Sequence, residues 1–200
     1  MSSNESDTRT RILEATWKLL EERHGQGVSM SDIARAAGIS RQAVYLHFSS
    51  RTELMIATTQ YVDEAKGLNE RLNQLNAATS GIELLEACVD VWCNYIPEIY
   101  GIAKALLNIR ETDEAAAAAW NGSMGCLRDV CRQIVQALEG DSMLAPEWSH
   151  DEAVEMMYTL LSIQNWEQLT KESGWSTAQY VAWMKILLMR TFVGKDETGK

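Results

Sequence analysis

Proline is almost missing from this chain: Pro97 and Pro146 are the two in 200 residues. Proline in a helix interior removes a backbone hydrogen bond, so its scarcity leaves room for long helices. The abundance of alanine, leucine, glutamate and glutamine favours them further. No apolar run approaches the ~20 residues that a membrane span needs. The opening MSSNESD is polar and acidic, unlike a secretory signal or a transit peptide, and a cytoplasmic protein is expected. Cys88, Cys93, Cys126 and Cys131 form no C-x-x-C pair, and His24, His47 and His150 lie far apart. That spacing predicts reduced thiols, buried or half-buried, and no metal. Nucleophile motifs, paired carboxylate–histidine spacings and phosphate loops are missing as well, so neither a cofactor nor an enzyme is expected.

Basic residues are also scarce, and the net charge is -10. Their placement matters more than their number. Through Gln60, seven basic and seven acidic residues cancel, and the other 140 residues carry the whole excess of acid. Between Ser29 and Thr52, Arg35, Arg41 and Arg51 stand against the single acid Asp32. The chain is locally basic there and acidic elsewhere, which suits one face meeting a polyanion while the rest is repelled.

What is present in quantity is helical periodicity, enough for an all-α protein of about nine helices. Ile12, Leu13, Leu19 and Leu20 mark a first helix from Thr8 to His24, stopped by Gly25. Ser29-Met-Ser-Asp32 fits a capping box, as do Ser50 to Glu53, Ser80 to Glu83, Ser149 to Glu152 and Ser176 to Gln179. The second of these opens a long connecting helix, roughly 51–75. A helix through Leu84, Val89 and Ile96 is expected to end before Pro97, with a short one from Pro97 to Asn108. The alanine run at Ala115 leads another helix to Leu138; Glu139 to Trp148 reads as a loop. Two helices close the chain, one from Ser149 to Gly174 and one from Ser176 to Val193.

The stretch Val28 to Leu54, VSMSDIARAAGISRQAVYLHFSSRTEL, reads as two short helices about a glycine turn at Gly38, with a third beginning. Ile33, Ala34, Ile39 and Val44 would close its small core, and Ser40 to Phe48 would lie across a DNA major groove. From Thr8 to about Thr58 the order I-A-x-x-A-G-I-S, Y-x-H-F, a basic residue and E-L resembles the TetR family of bacterial transcriptional regulators. The resemblance implies a helix-turn-helix DNA-binding domain over 1–50 and a helical effector-binding and dimerisation domain over 51–200. It further implies a homodimer on a palindromic operator of double-stranded DNA, acting as a repressor released by a small-molecule effector. Arg41, Gln42 and Ala43 match base-reading positions, chemically suited to guanine, adenine and a thymine methyl. Tyr45 and His47 match phosphate contacts, Arg51 stands where the family most often has lysine, and Ser29, Ser31 and Ser40 lie at the matching helix starts. Met30 replaces a small hydroxyl residue common in the family.

Seven tryptophans are many, and six follow the head. Together with methionines they suggest a pocket for an apolar or aromatic ligand, for which Cys88, Trp92, Tyr95, Trp120, Met124, Met157, Gln164 and Trp166 are the candidates. The last helix is apolar around much of its circumference. With the one before, it matches the family's dimer interface, through Leu160, Leu161, Tyr180, Trp183, Met184, Leu187 and Leu188. A partner protein in place of the small molecule is the alternative, with no membrane involved.

Overall fold

Hydroxyl side chains start most helices of this protein, and at four of those starts a carboxylate three or four residues on reaches back to a hydroxyl. The computed structural model describes residues 3–194 and is helical throughout, apart from one isolated bridge between Leu144 and Val193. The helices are α1 (Ser3–Glu22), α2 (Met30–Ala36), α3 (Arg41–His47), α4 (Arg51–Ala65), α5 (Leu68–Leu72), α6 (Gly81–Ile109), α7 (Glu114–Gly140), α8 (His150–Leu160), α9 (Ile163–Glu167) and α10 (Thr177–Phe192). Ser29 and Asp32 form the capping box in full. Glu53 and Glu83 reach one residue further back than expected, to Ser49 and Thr79, and those bonds hold both carboxyls below their ordinary value. Among the described residues no helix is long and apolar enough to cross a membrane.

The chain divides into two compact units. The first holds the residues up to Lys66 together with Ile99–Met124. Its core joins Ile12, Leu20, Ile33, Val44, Phe48 and Leu54 to Ile102, Leu106 and Ala116, all buried. Arg11 donates from Nη2 to the Ala37 carbonyl at 2.8 Å, and the Arg9 guanidinium lies 4.8 Å from the Phe48 ring centre. The second unit holds Gly67–Glu98 and the residues from Gly125 on. Its core joins Val89, Ile96, Ile134, Leu138, Met157, Trp166, Tyr180 and Phe192. The Trp92 indole donates to the Leu161 carbonyl at 2.7 Å, and Lys185 Nζ lies 2.6 Å from the Asp90 carboxylate.

The first helix starts at Ser3 rather than Thr8, and three helix boundaries further along the chain also depart from the sequence reading. The helix that starts at Arg51 stops at Ala65 rather than near 75, because Gly67 adopts φ 67°, which no right-handed helix can continue. Conversely, α6 does not end at Pro97 but passes through it as 29 unbroken residues. The buried stripe Leu85, Val89, Ile96, Ile99, Ile102 and Leu106 keeps one helical register across the proline. Burying it offsets a cost of about 3 kcal/mol for the lost bond and the ring clash. The helix from Ser149 breaks at Leu161 and restarts as α9, followed by a π-helical turn over Gln168–Glu172. Ser162 Oγ accepts the Asn165 N–H at 3.3 Å, and the Asn165 amide donates to the carbonyls of Thr159 and Leu160. Side chains thus take over what the helical ladder would have satisfied.

Two glycines in the first unit are fixed for different reasons. Gly38 has φ 68° in the turn between α2 and α3, with open space where a Cβ would go. Gly25 has φ 82°, and a Cβ there would strike the Ala105 carbonyl oxygen on α6. Gly38→Ala should therefore cost about 1–2 kcal/mol of stability, the left-handed backbone alone. Gly25→Ala should cost about 2–5 kcal/mol, strain plus overpacking. Urea unfolding midpoints check this; equal losses would show that the approach to Ala105 constrains nothing.

Candidate nucleic-acid interface

Helices α2 and α3 are seven residues each, too short to stand alone, and caps hold their ends. Ser29 Oγ donates to Asp32 Oδ2 at 2.6 Å and accepts the Asp32 N–H at 3.2 Å. These bonds to Ser29, with Arg23 and Arg35 nearby, hold the Asp32 carboxyl below its ordinary value. Ser40 Oγ accepts the Ala43 N–H at 3.1 Å. The Ser29 and Ser40 hydroxyls are therefore employed within the fold, whereas Ser31 is exposed. On α3, Val44 is buried with the capping residue Phe48 behind it; Arg41, Gln42, Tyr45 and Leu46 face outward, and Ala43 and His47 are half-buried. The Arg41 guanidinium lies 5.7 Å from the Tyr45 ring centre, which stiffens both.

The residues expected around an effector are divided between the two units. Trp120 and Met124 belong to the first unit, where they line a cavity of about 30 Å³ with Thr59, Val62, Ile99, Ile102, Ala103 and Leu106. Cys88, Trp92, Tyr95, Met157, Gln164 and Trp166 lie in the second unit, and Gln164 is exposed. Burial pushes the Cys88 thiol up to about 12 and raises Cys93 and Cys131 likewise, so these three are unreactive at neutral pH. Cys126 is exposed. Of the residues expected between subunits, Leu161, Tyr180, Met184 and Leu188 are buried within the chain itself. Trp183 and Leu187 remain 52% and 43% exposed, joined on α10 by Ile186, and Leu160 is half-buried.

Ser29, Ser31, Arg41, Tyr45 and Arg51 do converge. They line an open groove of about 630 Å³ together with Val28, Ile109 and Asp113. Arg51, expected on a phosphate, forms an ion pair within the protein at the wall of this groove. One Nη lies 2.5 Å from both carboxylate oxygens of Asp113, and Nη2 donates to the Val28 carbonyl at 3.2 Å. Asp113 in turn caps α7, accepting the N–H groups of Ala115 and Ala116 at 3.0 and 3.2 Å. Arg51 is thus a clamp, and Asp113 is an acid on the wall of a groove otherwise suited to an anion. The sequence reading missed Asp113, which lies 62 residues away with no local mark of the pairing. It also missed Leu46, four residues after Gln42 and so on the same helix face.

Asparagine caps a helix as well as aspartate does, so Asp113→Asn removes the charge while keeping the α7 cap. The variant should bind every DNA sequence more tightly and steepen the salt dependence by about one unit per chain. Weakening the Arg51 tie should lower stability by about 1–3 kcal/mol, between the values for surface and buried pairs. Anisotropy titrations across a salt series measure the first, and an unchanged slope would place Arg51 away from phosphate.

Residues 12–58 match the sequence model of bacterial regulatory proteins, tetR family. The nucleoid occlusion factor SlmA of Marinomonas sp. is 29% identical over 82 residues, 41% of each chain. The uncharacterized HTH-type transcriptional regulator YvaF of Bacillus subtilis is 31% identical over 124 residues, covering 49% of this chain and 65% of that protein. The chain thus spans less than two thirds of either relative's length. A crystallised protein assigned as a transcriptional regulator from Saccharomonospora viridis, in complex with choline, shares the fold with a TM-score of 0.74 at 16% identity, over 95% of this chain and all of that one. Residues 12–58, with their helix-turn-helix, thus belong to the TetR family of bacterial transcriptional regulators, and the helical fold of the whole chain is shared with a solved relative.

Proposed function

We propose that the protein is a ligand-responsive repressor. In this reading a homodimer in the cytoplasm sets two copies of α3 into successive major grooves of a palindromic operator, and a small apolar or aromatic effector releases it. The observation that carries the reading is the outward face of α3, exposed over a buried Val44, beside a groove lined by Arg41, Tyr45 and Ser31. Arg41 suits guanine, Gln42 suits adenine and Ala43 could touch a thymine methyl. Tyr45, His47, Ser29 and Ser31 flank them and would meet the sugar-phosphate backbone. Arg41→Ala should cost about 1–3 kcal/mol on duplexes that the protein selects from a random library, and relax one base pair per half-site. An equal loss on unselected DNA would remove Arg41 from the base-reading set.

The effector reading draws support from the cavity beside Trp120 and Met124, and from a structural relative crystallised with choline. Its 30 Å³ holds about two waters, so an effector would have to widen it. That small size is also the observation favouring the alternative, a partner protein as the signal; one relative bears the name nucleoid occlusion factor. Release of bound operator by small apolar or aromatic compounds separates the two. For the dimer, support comes from Trp183, Ile186 and Leu187, an exposed apolar strip on α10, with Met156 exposed on α8. Such a strip is characteristic of an interaction surface. Trp183→Glu combined with Leu187→Glu should give monomers in analytical ultracentrifugation and weaken operator binding at least tenfold, while circular dichroism stays helical. A dimer that survives both charges would move the interface elsewhere.

A further inference from the structure

Leu46 stands out on α3. It is 83% exposed, far beyond the next large apolar side chain, Trp183 at 52%, and it is the one aliphatic side chain so placed among the described residues of the head. Side chains on a helix turn by about 100° per residue. With Val44 pointing into the core, the residues two before and two after it, Gln42 and Leu46, point almost directly away. They form the crest of the outward face. Arg41 and Tyr45 lie on one flank, held together by the guanidinium over the ring, and Ala43 and His47 lie half-buried on the other. When the crest meets the groove floor, the flanks meet its walls. Leucine can neither donate nor accept a hydrogen bond. The apolar group that a base pair presents in the major groove is the C5-methyl of thymine.

We propose that Leu46 is a specificity-determining residue that packs on a thymine methyl; the proposal rests on the DNA-binding reading above. Gln42 and Leu46 are one helical turn apart, about 6 Å along the axis. The thymine therefore lies about two base pairs from the one read by Gln42, at a base-pair rise of about 3.4 Å. Ala43, half-buried on the flank, is the less suited of the two to reach it.

The test uses the full chain, wild type and Leu46→Ala, each selecting duplexes from a random library. Wild type should enrich a thymine at one fixed position per half-site, and Leu46→Ala should recover the same sites with that position relaxed. Replacing that thymidine by deoxyuridine removes only the methyl. Wild-type affinity should then fall about fourfold per methyl, the worth of one buried carbon, and Leu46→Ala should bind both duplexes alike. A variant that keeps the thymine preference, or loses as much as wild type on methyl removal, overturns the assignment; a leucine that docks on a protein gives this result. Wild type that selects DNA but ignores the methyl overturns Leu46 alone. Wild type that selects no sequence overturns the DNA-binding reading and Leu46 with it.

Discussion

The tie from Arg51 to Asp113 and Val28 is the constraint on which the first unit depends. It joins three stretches far apart in the chain: the residue before the α2 cap, the first residue of α4 and the cap of α7. Short helices such as α2 and α3 gain little from propensity, since nucleating a helix consumes most of what seven residues return. Their geometry must be imposed from outside. Arg11 on the Ala37 carbonyl, Arg9 over Phe48 and Arg51 on the Val28 carbonyl do this, each an arginine on a backbone group or a ring. An arginine fork suits such work because its donors lie in one rigid plane.

The same interactions explain how a head of balanced charge offers a face to DNA. Three of its acids are committed within the fold. Asp32 closes the α2 box and meets Arg23 and Arg35, Glu53 accepts from Ser49, and Glu14 accepts from the Tyr61 hydroxyl at 3.0 Å. Arg41 sits instead on the outward face with only a ring beneath it. Charge counted along the sequence cancels, whereas charge counted on the surface of α3 does not. Asp113 works against this, since it lines the anion-suited groove with a negative charge. Its position there makes sense only if holding Arg51 and capping α7 matter more than the lost attraction to phosphate.

Much of this was legible because caps, turns and helical faces depend on residues three or four apart. Gly38, Ser29 with Asp32, and the buried row Ile33, Ala34, Val44 lie within that range. Pro97 misled because a local rule, proline ends helices, was outweighed by a stripe of burial extending on both sides of it. Ser162 misled in the opposite sense: its capping bond to Asn165 interrupts an apolar period that otherwise continues. The effector residues were harder still. Periodicity says which face of a helix is buried but not against what, and α6 and α7 each serve two units. Trp92 and Trp120 therefore looked alike in sequence and fall in different units.

On the proposed reading, the cavity and the clamp are coupled by construction within the first unit. Thr59 and Val62 lie two to three turns along α4 from Arg51, Leu106 lies one turn along α6 from Ile109, and Trp120 lies two turns along α7 from Asp113. The three helices that wall the cavity thus each bring one end to the groove. A cavity with room for two waters admits an effector only if those helices part. Helices are stiff along their axes and cores resist gradual deformation, so parting them moves their ends. The bond least able to follow is the one fixed at both ends, Asp113 by the α7 cap and Arg51 by the Val28 carbonyl. Straining it pulls on the residue before α2, and with α2 goes the angle at which α3 would meet DNA.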